Sequence, residues 1–225
     1  MIRIAIDGPA GAGKSTVARL LANRLRILYI DTGAMYRALT WKLLELGMLV
    51  DDAEAIARLA ESVDIELIFD PDREIIVICD GQDVTEQIRS PQVSAAVSYV
   101  AQIPAVRERM SSLQQTWARQ TDIVMDGRDI GTIVIPDAEY KFFLTACLEK
   151  RVQRRMLDLA EKAYFPSYQQ VENDIVARDA MDSNRTCGPL LIAEDAICID
   201  TSKLSADQVA DYIVKIVQPD NRHAL

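Results

Sequence analysis

The stretch that decides the fold lies near the start of the 225-residue chain and reads Ile2-Arg3-Ile4-Ala5-Ile6-Asp7-Gly8-Pro9-Ala10-Gly11-Ala12-Gly13-Lys14-Ser15-Thr16. It begins as a short apolar run typical of a buried strand, and apolar residues recur at helical spacing from Val17 to Leu25. The glycine-rich part between them, Gly8 to Thr16, matches the phosphate-loop pattern G-x-x-x-x-G-K-[ST]. The sequence therefore predicts a polyphosphate site between a strand and a helix.

Each part of this phosphate loop (P-loop) has a role in such a site. The glycines let backbone N–H groups turn inward around the phosphates, and the helix N-terminus adds partial positive charge. Lys14 is expected to reach the β and γ oxygens, and Ser15 to offer its hydroxyl to Mg²⁺. We therefore expect the whole loop to bind a nucleotide together with Mg²⁺.

Strands and helices continue to alternate after the loop. A second apolar run, Ile27 to Ile30, ends at Asp31-Thr32-Gly33. Further core strands are predicted at Asp122–Met125, Tyr140–Leu144 and Ala196–Ile199. This order predicts an α/β fold of the P-loop NTPase type, with a parallel core sheet and helices on both faces. Ligands bind at the carboxyl ends of such strands, which favours Asp31 and the turn Asp126-Gly127-Arg128-Asp129 as site residues.

Capping residues and prolines mark the other helices. One helix is expected from about Ala34 to Leu46, and the next from Asp51, which has Glu54 in capping-box spacing. Three further helix starts are predicted, at Ser90-Pro91, at Pro104 and at Ser205, which pairs with Gln208 and starts the last helix through Val217.

A β-rich segment interrupts this alternation. Val63–Phe69 and Glu74–Cys79 are joined by the turn signal Asp70-Pro71-Asp72-Arg73, and a third short run lies near Val84. Three strands joined by such short turns predict an antiparallel insert, which cannot belong to the parallel core.

A single domain of residues 1–225 with three parts follows from these patterns. The core comprises 1–33, 120–147 and 186–225, and the insert lies in a region from 34 to 119. Residues 148–185 are helical and rich in arginine, with a break around Tyr164-Phe165-Pro166-Ser167, and are expected to form a lid. The tail after Pro219, which contains the only histidine, His223, is expected to be frayed.

Composition excludes several classes of protein. The 25 basic residues against 34 acidic ones give a net charge of −9, which argues against a nucleic-acid binder or a polybasic membrane-surface protein. No apolar run is long enough for a transmembrane helix. The N-terminal apolar run is too short for a signal peptide and is interrupted early by charged residues, so we expect a cytoplasmic protein. Nothing demands a partner chain, and we expect a monomer. The cysteines lack metal-site spacing and are expected to be buried, reduced thiols: Cys79, Cys147, Cys187 and Cys198.

The P-loop fixes the phosphate donor and leaves the acceptor open. A GTPase switch would need an Asn-Lys-x-Asp string, which the chain lacks. A kinase of a small hydroxylated metabolite would need a general base, for which a carboxylate such as Asp31 or Asp129 is available. A nucleoside monophosphate kinase needs no base, because the acceptor phosphate is already ionised near pH 7, but it needs cations to hold two polyanions together.

Arginine is the residue that meets this need, and 18 of the 25 basic residues are Arg. The candidates lie on separate segments: Arg37, Arg107, Arg128, and in the lid segment Arg151, Arg154, Arg155, Arg178 and Arg185. The residues alone favour a P-loop kinase with an anionic acceptor and leave the metabolite kinase and a nucleotide-dependent switch open.

Six strings closely resemble the bacterial cytidylate kinase family. They run in family order and are Ile6 through Thr16, Asp31-Thr32-Gly33-Ala34-Met35-Tyr36-Arg37, Asp126-Gly127-Arg128-Asp129-Ile130-Gly131-Thr132, Pro136-Asp137-Ala138, Arg178-Asp179-x-x-Asp182-x-x-Arg185, and Asp195-Ala196 through Asp200-Thr201-Ser202. Thr32 stands where the family often has Ser, which keeps the hydroxyl. The antiparallel insert is also similar to the extension that the family carries in its monophosphate-binding region.

The resemblance implies transfer of the γ-phosphate of MgATP to CMP or dCMP, with no other partner than these nucleotides. It implies that Arg37 and Arg128 grip the acceptor phosphate, and that Ser98, Arg107 and Asp129 read the cytosine. It places Arg178 and Asp182 on the pentose, supported by Arg185. The alternative for Ser98 is a small packing residue. For Tyr36, packing in the core and stacking on the base are equally open.

The remaining expected site residues complete this assignment. Lys14, Arg128 and Arg155 are expected to stabilise the transferring phosphoryl group, and Arg154 to contact ATP with the P-loop. Asp31, Thr32, Tyr36 and Asp126 are expected to line the acceptor side.

Overall fold

The structure is a computed structural model and describes residues 1–70, 74–161 and 163–218. Its strands are β1 (Arg3–Asp7), β2 (Leu28–Asp31), β3 (Ile65–Asp70), β4 (Glu74–Cys79), β5 (Gln82–Asp83), β6 (Ile123–Gly127), β7 (Tyr140–Thr145) and β8 (Ile197–Asp200). Its helices are α1 (Lys14–Leu25), α2 (Thr32–Glu45), α3 (Ala53–Ser62), α4 (Pro91–Val100), α5 (Pro104–Ala118), α6 (Leu148–Ala160), α7 (Tyr168–Asn184) and α8 (Ala206–Val217).

The central sheet has the strand order β2-β6-β1-β7-β8, and all its neighbouring pairs are parallel. The register places Asp31 beside Asp126 and Asp7 beside Gly127. The carboxyl ends of β1, β2 and β6 therefore meet at one edge, as the sequence predicts. The P-loop follows β1 at this edge.

Each face of the sheet has its own apolar layer. On one face, α1 and α8 pack together and bury Leu21 and Ile213 with Ile4 of the central strand. On the other face, Ile130 and Ile135 pack against Met125 of β6. Helices on both faces explain why the core strands are apolar throughout rather than alternating.

A third apolar cluster holds the inserted region together. It packs α2, α3 and α5 against β4, with Leu39, Ile56, Met110 and Val77 at its centre. Strands β3, β4 and β5 form a separate antiparallel sheet, which confirms the predicted insert. Three of the four residues of the predicted turn at 70–73 lie outside the described residues, as does the tail from Pro219 with His223.

Two predicted helix starts differ from the structure. Helix α2 begins at Thr32, two residues early, because the Asp31 side chain accepts the Ala34 N–H at 3.0 Å and caps it. Helix α3 is capped by Asp52, which accepts the Ala55 N–H at 3.0 Å, so the prediction of Asp51 was wrong by one residue. The caps Ser90 and Ser205 and the break between α6 and α7 are confirmed.

The cysteine prediction was partly wrong. All four are free thiols, and Cys79 is buried, but Cys147 and Cys198 are exposed. Cys147 occupies the N-cap position of α6 without a side-chain hydrogen bond, and Cys198 lies on β8, an edge strand of the central sheet. Among the described residues, the helices lack the length and apolar content that a membrane span needs.

Gly8 provides a test of how the P-loop joins the sheet. Its φ is +148°, and a Cβ there would overlap the Leu144 carbonyl oxygen of β7. We expect Gly8→Ala to lower the free energy of unfolding by about 3 kcal/mol or more, from backbone strain plus overpacking. Denaturant unfolding followed by circular dichroism measures this change.

Gly81 is the matched control, because its φ is +78° and nothing lies within 4 Å of its missing Cβ. Gly81→Ala should lower the free energy of unfolding by about 1–2 kcal/mol, because only the strain of a left-handed backbone conformation is added. Equal losses for the two variants would contradict the close contact between Gly8 and β7.

Candidate active site

A cleft of about 850 Å³ opens at the carboxyl edge of the central sheet. The P-loop and the ends of β2 and β6 form its floor, α4 and α5 form one wall, and α6 and α7 form the other. The structure brings most of the predicted site residues to this cleft: Ala10, Gly11, Lys14, Ser15, Asp31, Thr32, Tyr36, Arg37, Ser98, Arg107, Asp126, Arg128, Asp129, Arg155, Arg178, Asp182 and Arg185.

The P-loop has the backbone expected of an anion site. Gly11 and Gly13 have φ values of +74° and +88°, a conformation that lets successive N–H groups turn toward one point. Lys14 is 6% exposed, and its ammonium group donates to the Pro9 carbonyl at 2.9 Å. Burial and the nearby Arg128 guanidinium lower the pKa of Lys14 to about 7, so phosphate binding and protonation of this lysine are coupled.

Ser15 and Asp126 present oxygen atoms beside the loop. The Ser15 hydroxyl donates to Asp126 Oδ2 at 2.8 Å, and the Tyr29 hydroxyl donates to the other carboxylate oxygen at 2.8 Å. Burial, and then the charge of Asp31, raises the pKa of Asp126. A hydroxyl beside a carboxylate is a ligand pair that suits Mg²⁺, which takes one or two protein ligands and keeps waters or phosphates as the rest.

Arg37 and Asp31 form an ion pair at the N-terminus of α2. Arg37 Nη2 lies 2.7 Å from Asp31 Oδ2, while Asp31 Oδ1 caps the helix. Burial alone would raise the pKa of Asp31, but the Arg37 guanidinium outweighs it and the pKa lies below its ordinary value. Asp31 is therefore an ionised structural anion that orients Arg37, and it is a weak base.

Arg128 is held by Asp182 of α7. Arg128 Nε donates to Asp182 Oδ2 at 2.6 Å, and Arg128 Nη1 donates to the Gly127 carbonyl at 3.2 Å. Burial would lower the pKa of Arg128, but Asp182 more than compensates. Burial and the charge of Arg128 lower the pKa of Arg178 to about 10, which leaves both groups cationic near pH 7.

The far end of the cleft contains a second charged network. Arg107 donates to Asp129 in a pair of which both members are about 95% buried, and the Arg107 guanidinium lies 5.5 Å from the centre of the Tyr36 ring. Arg185 lies 3.6 Å from Asp129 and 3.6 Å from Asp182, and so joins this pair to Arg128. Tyr36 thus both packs in the core and faces the cleft.

Some predicted residues lie outside the cleft lining. Gly8, Pro9, Ala12, Gly13 and Thr16 shape the P-loop but do not line the cleft. Arg154 points away from it, toward the Gly11 carbonyl at 3.2 Å and the Thr201 carbonyl at 2.7 Å. The predicted contacts of these residues with the nucleotide stay predictions.

Sequence reasoning also missed Asp7. Its carboxylate accepts the N–H groups of Ile130 and Gly131, each at 2.8 Å, and ties the P-loop strand to the turn that bears Arg128 and Asp129. Burial raises the pKa of Asp7 to about 6. An acidic residue that ends an apolar strand was the available signal, because such a carboxylate needs partners when buried.

The sheet order, the P-loop and the opposed cationic wall define a P-loop phosphotransferase. An uncharacterised protein from Eubacterium ventriosum shares the fold, with a TM-score of 0.55 at 16% identity over 98% of this chain and 100% of that one. The family model described as Cytidylate kinase matches residues 4–219. The chain belongs to the cytidylate kinase family.

Curated relatives agree with the family match. The cytidylate kinase of Pelotomaculum thermopropionicum is 51% identical over 219 residues, 97% of each chain. That of Caldanaerobacter subterraneus subsp. tengcongensis is 48% identical and covers 98% of this chain and 96% of its own. The match therefore extends over the central sheet, the antiparallel sheet and helices α6 and α7 alike.

The lowered pKa of Lys14 predicts proton uptake when a nucleotide binds. Bound phosphates favour the charged ammonium and raise its pKa above about 7, so binding at pH 8 takes up a proton, and affinity for MgADP falls as pH rises from 7 to 9. Calorimetric titrations in buffers of different ionisation enthalpy measure this uptake. Uptake that persists in a Lys14→Met variant would assign the proton to another group.

Proposed function

We propose that this enzyme transfers the γ-phosphate of MgATP to CMP or dCMP and releases ADP with CDP or dCDP. The observation that carries the proposal is the guanidinium cluster opposite the P-loop. Arg37, Arg128, Arg155 and Arg178 line the same cleft as Lys14 of the P-loop. Phosphoryl transfer between two polyanions needs such a cluster, because their repulsion within a few Å amounts to several kcal/mol at an effective dielectric of about 20.

The acceptor side fits a monophosphate better than an alcohol. A monophosphate is already ionised near pH 7 and requires no base. Asp31 is paired with Arg37 and Asp129 with Arg107, so neither carboxylate is free to take a hydroxyl proton. The runner-up, a kinase of a small hydroxylated metabolite, is therefore not favoured by the site or by the family.

Arg37 and Arg128 are the groups proposed to hold the acceptor phosphate, because both guanidinium groups face the cleft beside the P-loop. Asp129, Arg107 and Ser98 lie deeper, and Ser98 is 6% exposed. Cytosine offers an N4 amino donor and the O2 and N3 acceptors, which match a carboxylate, a guanidinium and a hydroxyl. Arg178 and Asp182, which line the same cleft, are proposed to hold the pentose with support from Arg185.

On the donor side, the P-loop and Lys14 are proposed to bind the ATP phosphates, and Arg155 to stabilise charge on the transferring group. Ser15 and Asp126 would hold Mg²⁺, which when bound neutralises charge on the β and γ phosphates. Closure of the lid, residues 148–185, over the region 34–119 and the core would exclude water from the reacting groups.

The cellular setting is also part of the proposal. The enzyme is proposed to act as a monomer in the cytoplasm, where MgATP is available, on small nucleotides and without a nucleic-acid or membrane partner. The net charge of −9 supports this selectivity, because it opposes binding of long polyanions.

Steady-state assays of ADP release with MgATP and a panel of acceptors test the proposal. We expect CMP and dCMP to exceed AMP and GMP in kcat/KM by about 100-fold or more, since wrong bases leave buried polar groups unpaired. Cytidine and sugar acids should give no turnover. Turnover with alcohols alone would reject the proposal in favour of the metabolite kinase, and no turnover with any acceptor would favour the nucleotide-dependent switch.

Lys14→Ala should lower kcat by roughly two orders of magnitude or more with the melting temperature nearly unchanged, because one charge that stabilises the transition state is lost. The same assay and a thermal melt measure this. Near-normal turnover in the variant would contradict the role of Lys14.

Asp129→Asn should raise the KM for CMP by roughly 10- to 100-fold and change that for ATP little, because Asn cannot neutralise Arg107 or accept as strongly from the base. Asp137→Asn is the control, because that carboxylate is 73% exposed and pairs with Arg3 at the surface. Equal increases in both KM values for Asp129→Asn would show that Asp129 acts on the fold instead.

A further inference from the structure

Four consecutive carbonyl oxygens of the P-loop accept hydrogen bonds from side chains. The pairs are Pro9 O with Lys14 Nζ at 2.9 Å, Ala10 O with Arg151 Nη1 at 3.2 Å, Gly11 O with Arg154 Nη1 at 3.2 Å, and Ala12 O with Thr201 Oγ1 at 3.0 Å. Three of these donors come from outside the loop: Arg151 and Arg154 from α6, and Thr201 from the segment after β8.

This pattern fixes the direction of the loop amides. A trans peptide group is planar, so its C=O and the following N–H point in opposite directions. Tethering the carbonyls of Ala10, Gly11 and Ala12 on the outer side therefore turns the next three N–H groups, those of Gly11, Ala12 and Gly13, toward the inner side. The Ala12 N–H also makes a 3.4 Å bond to Pro9 O within the loop. The inner side is where phosphate oxygens bind.

Thr201 is the centre of this arrangement. It is 2% exposed, and its hydroxyl hydrogen is shared between Ala12 O and Thr145 O, both at 3.0 Å. The same hydroxyl oxygen accepts from Arg154 Nη1 at 3.0 Å, and the Thr201 carbonyl accepts from Arg154 Nη2 at 2.7 Å. Thr201 therefore joins the P-loop, β7 and the first turns of α6 through one buried side chain.

The packing of α6 supports the same connection. A Cβ at Gly11 would lie 3.0 Å from Arg151 Cβ and 3.1 Å from its carbonyl oxygen, which is closer than most side chains allow. The backbone of α6 thus rests directly on the P-loop at Gly11. Arg151 is further held by Asp179 of α7, so both lid helices are tied to the loop.

We propose that Thr201, with Arg154, is a positioning residue that holds the P-loop carbonyls outward and so keeps the loop ready for the phosphates of the donor nucleotide. This inference rests on the proposed function only in that the loop binds MgATP. It gives the Asp200-Thr201-Ser202 string a role, and it assigns Arg154 to the outer side of the loop rather than to the nucleotide.

The test compares Thr201→Val, which keeps the β-branched shape and removes the hydroxyl, with Thr201→Ser, which keeps the hydroxyl. Thr201→Val should weaken MgADP binding, measured by calorimetry, by roughly five- to twentyfold, because a buried carbonyl and a guanidinium each lose a partner. Its affinity for CMP, measured by the same calorimetry, should change less than twofold. For Thr201→Ser, the affinities for MgADP and for CMP should both stay within about threefold of the wild-type values.

Amide hydrogen exchange in the nucleotide-free proteins supplies a second readout. Peptides that cover residues 10–13 should exchange faster in Thr201→Val than in Thr201→Ser. An Arg154→Met variant should show the same faster exchange even if Thr201→Val does not fold. A direct contact between Arg154 and ATP would not change exchange in the absence of nucleotide.

Equal MgADP affinities for the Val and Ser variants, or unchanged exchange at residues 10–13, would overturn the proposal. A loss of affinity for CMP as large as the loss of affinity for MgADP would also overturn the proposal, because it would indicate general damage to the fold. These measurements need no turnover, so a wild type that binds MgADP but does not phosphorylate CMP would reject the proposed function and leave this inference standing.

Discussion

A cleft that brings two phosphate-bearing molecules together must supply positive charge in a place that excludes water, and a charge out of water needs a partner of its own. The structure meets both demands with alternating cations and anions. Arg37 is paired with Asp31, Arg128 with Asp182, and Arg107 with Asp129. Each pair fixes a guanidinium group in position while it leaves further N–H donors facing the cleft.

The placement of these pairs depends on the order of the strands. Because β6 lies between β1 and β2, the turn after β6 meets both the P-loop and the start of α2. Asp7 adds a direct bond between β1 and that turn. The apolar layers on both faces of the sheet hold β1, β2 and β6 in register. Core packing therefore fixes where the carboxyl ends of these three strands place the site residues.

Local patterns were sufficient to predict the core sheet, the antiparallel insert and the caps Ser90 and Ser205. Which of two neighbouring arginines lines the cleft was not predictable. Arg155 lines it, whereas Arg154 donates to the Thr201 carbonyl, and only the packing of α6 separates the two. Asp52 replaced Asp51 as a cap for a similar reason, since adjacent aspartates offer the same chemistry. The exposure of Cys147 and Cys198 follows from their places at a helix start and on an edge strand, which composition does not reveal.

Arg37 is proposed to recognise the acceptor phosphate and to have no part in reading the base. Equilibrium binding of CMP and of cytidine to the wild type and to Arg37→Met measures this directly. The wild type should prefer CMP by about 100-fold or more, and the variant should lose at least about tenfold of that preference while its affinity for cytidine stays unchanged. An unchanged preference, or an equal loss of affinity for both ligands, would contradict the account.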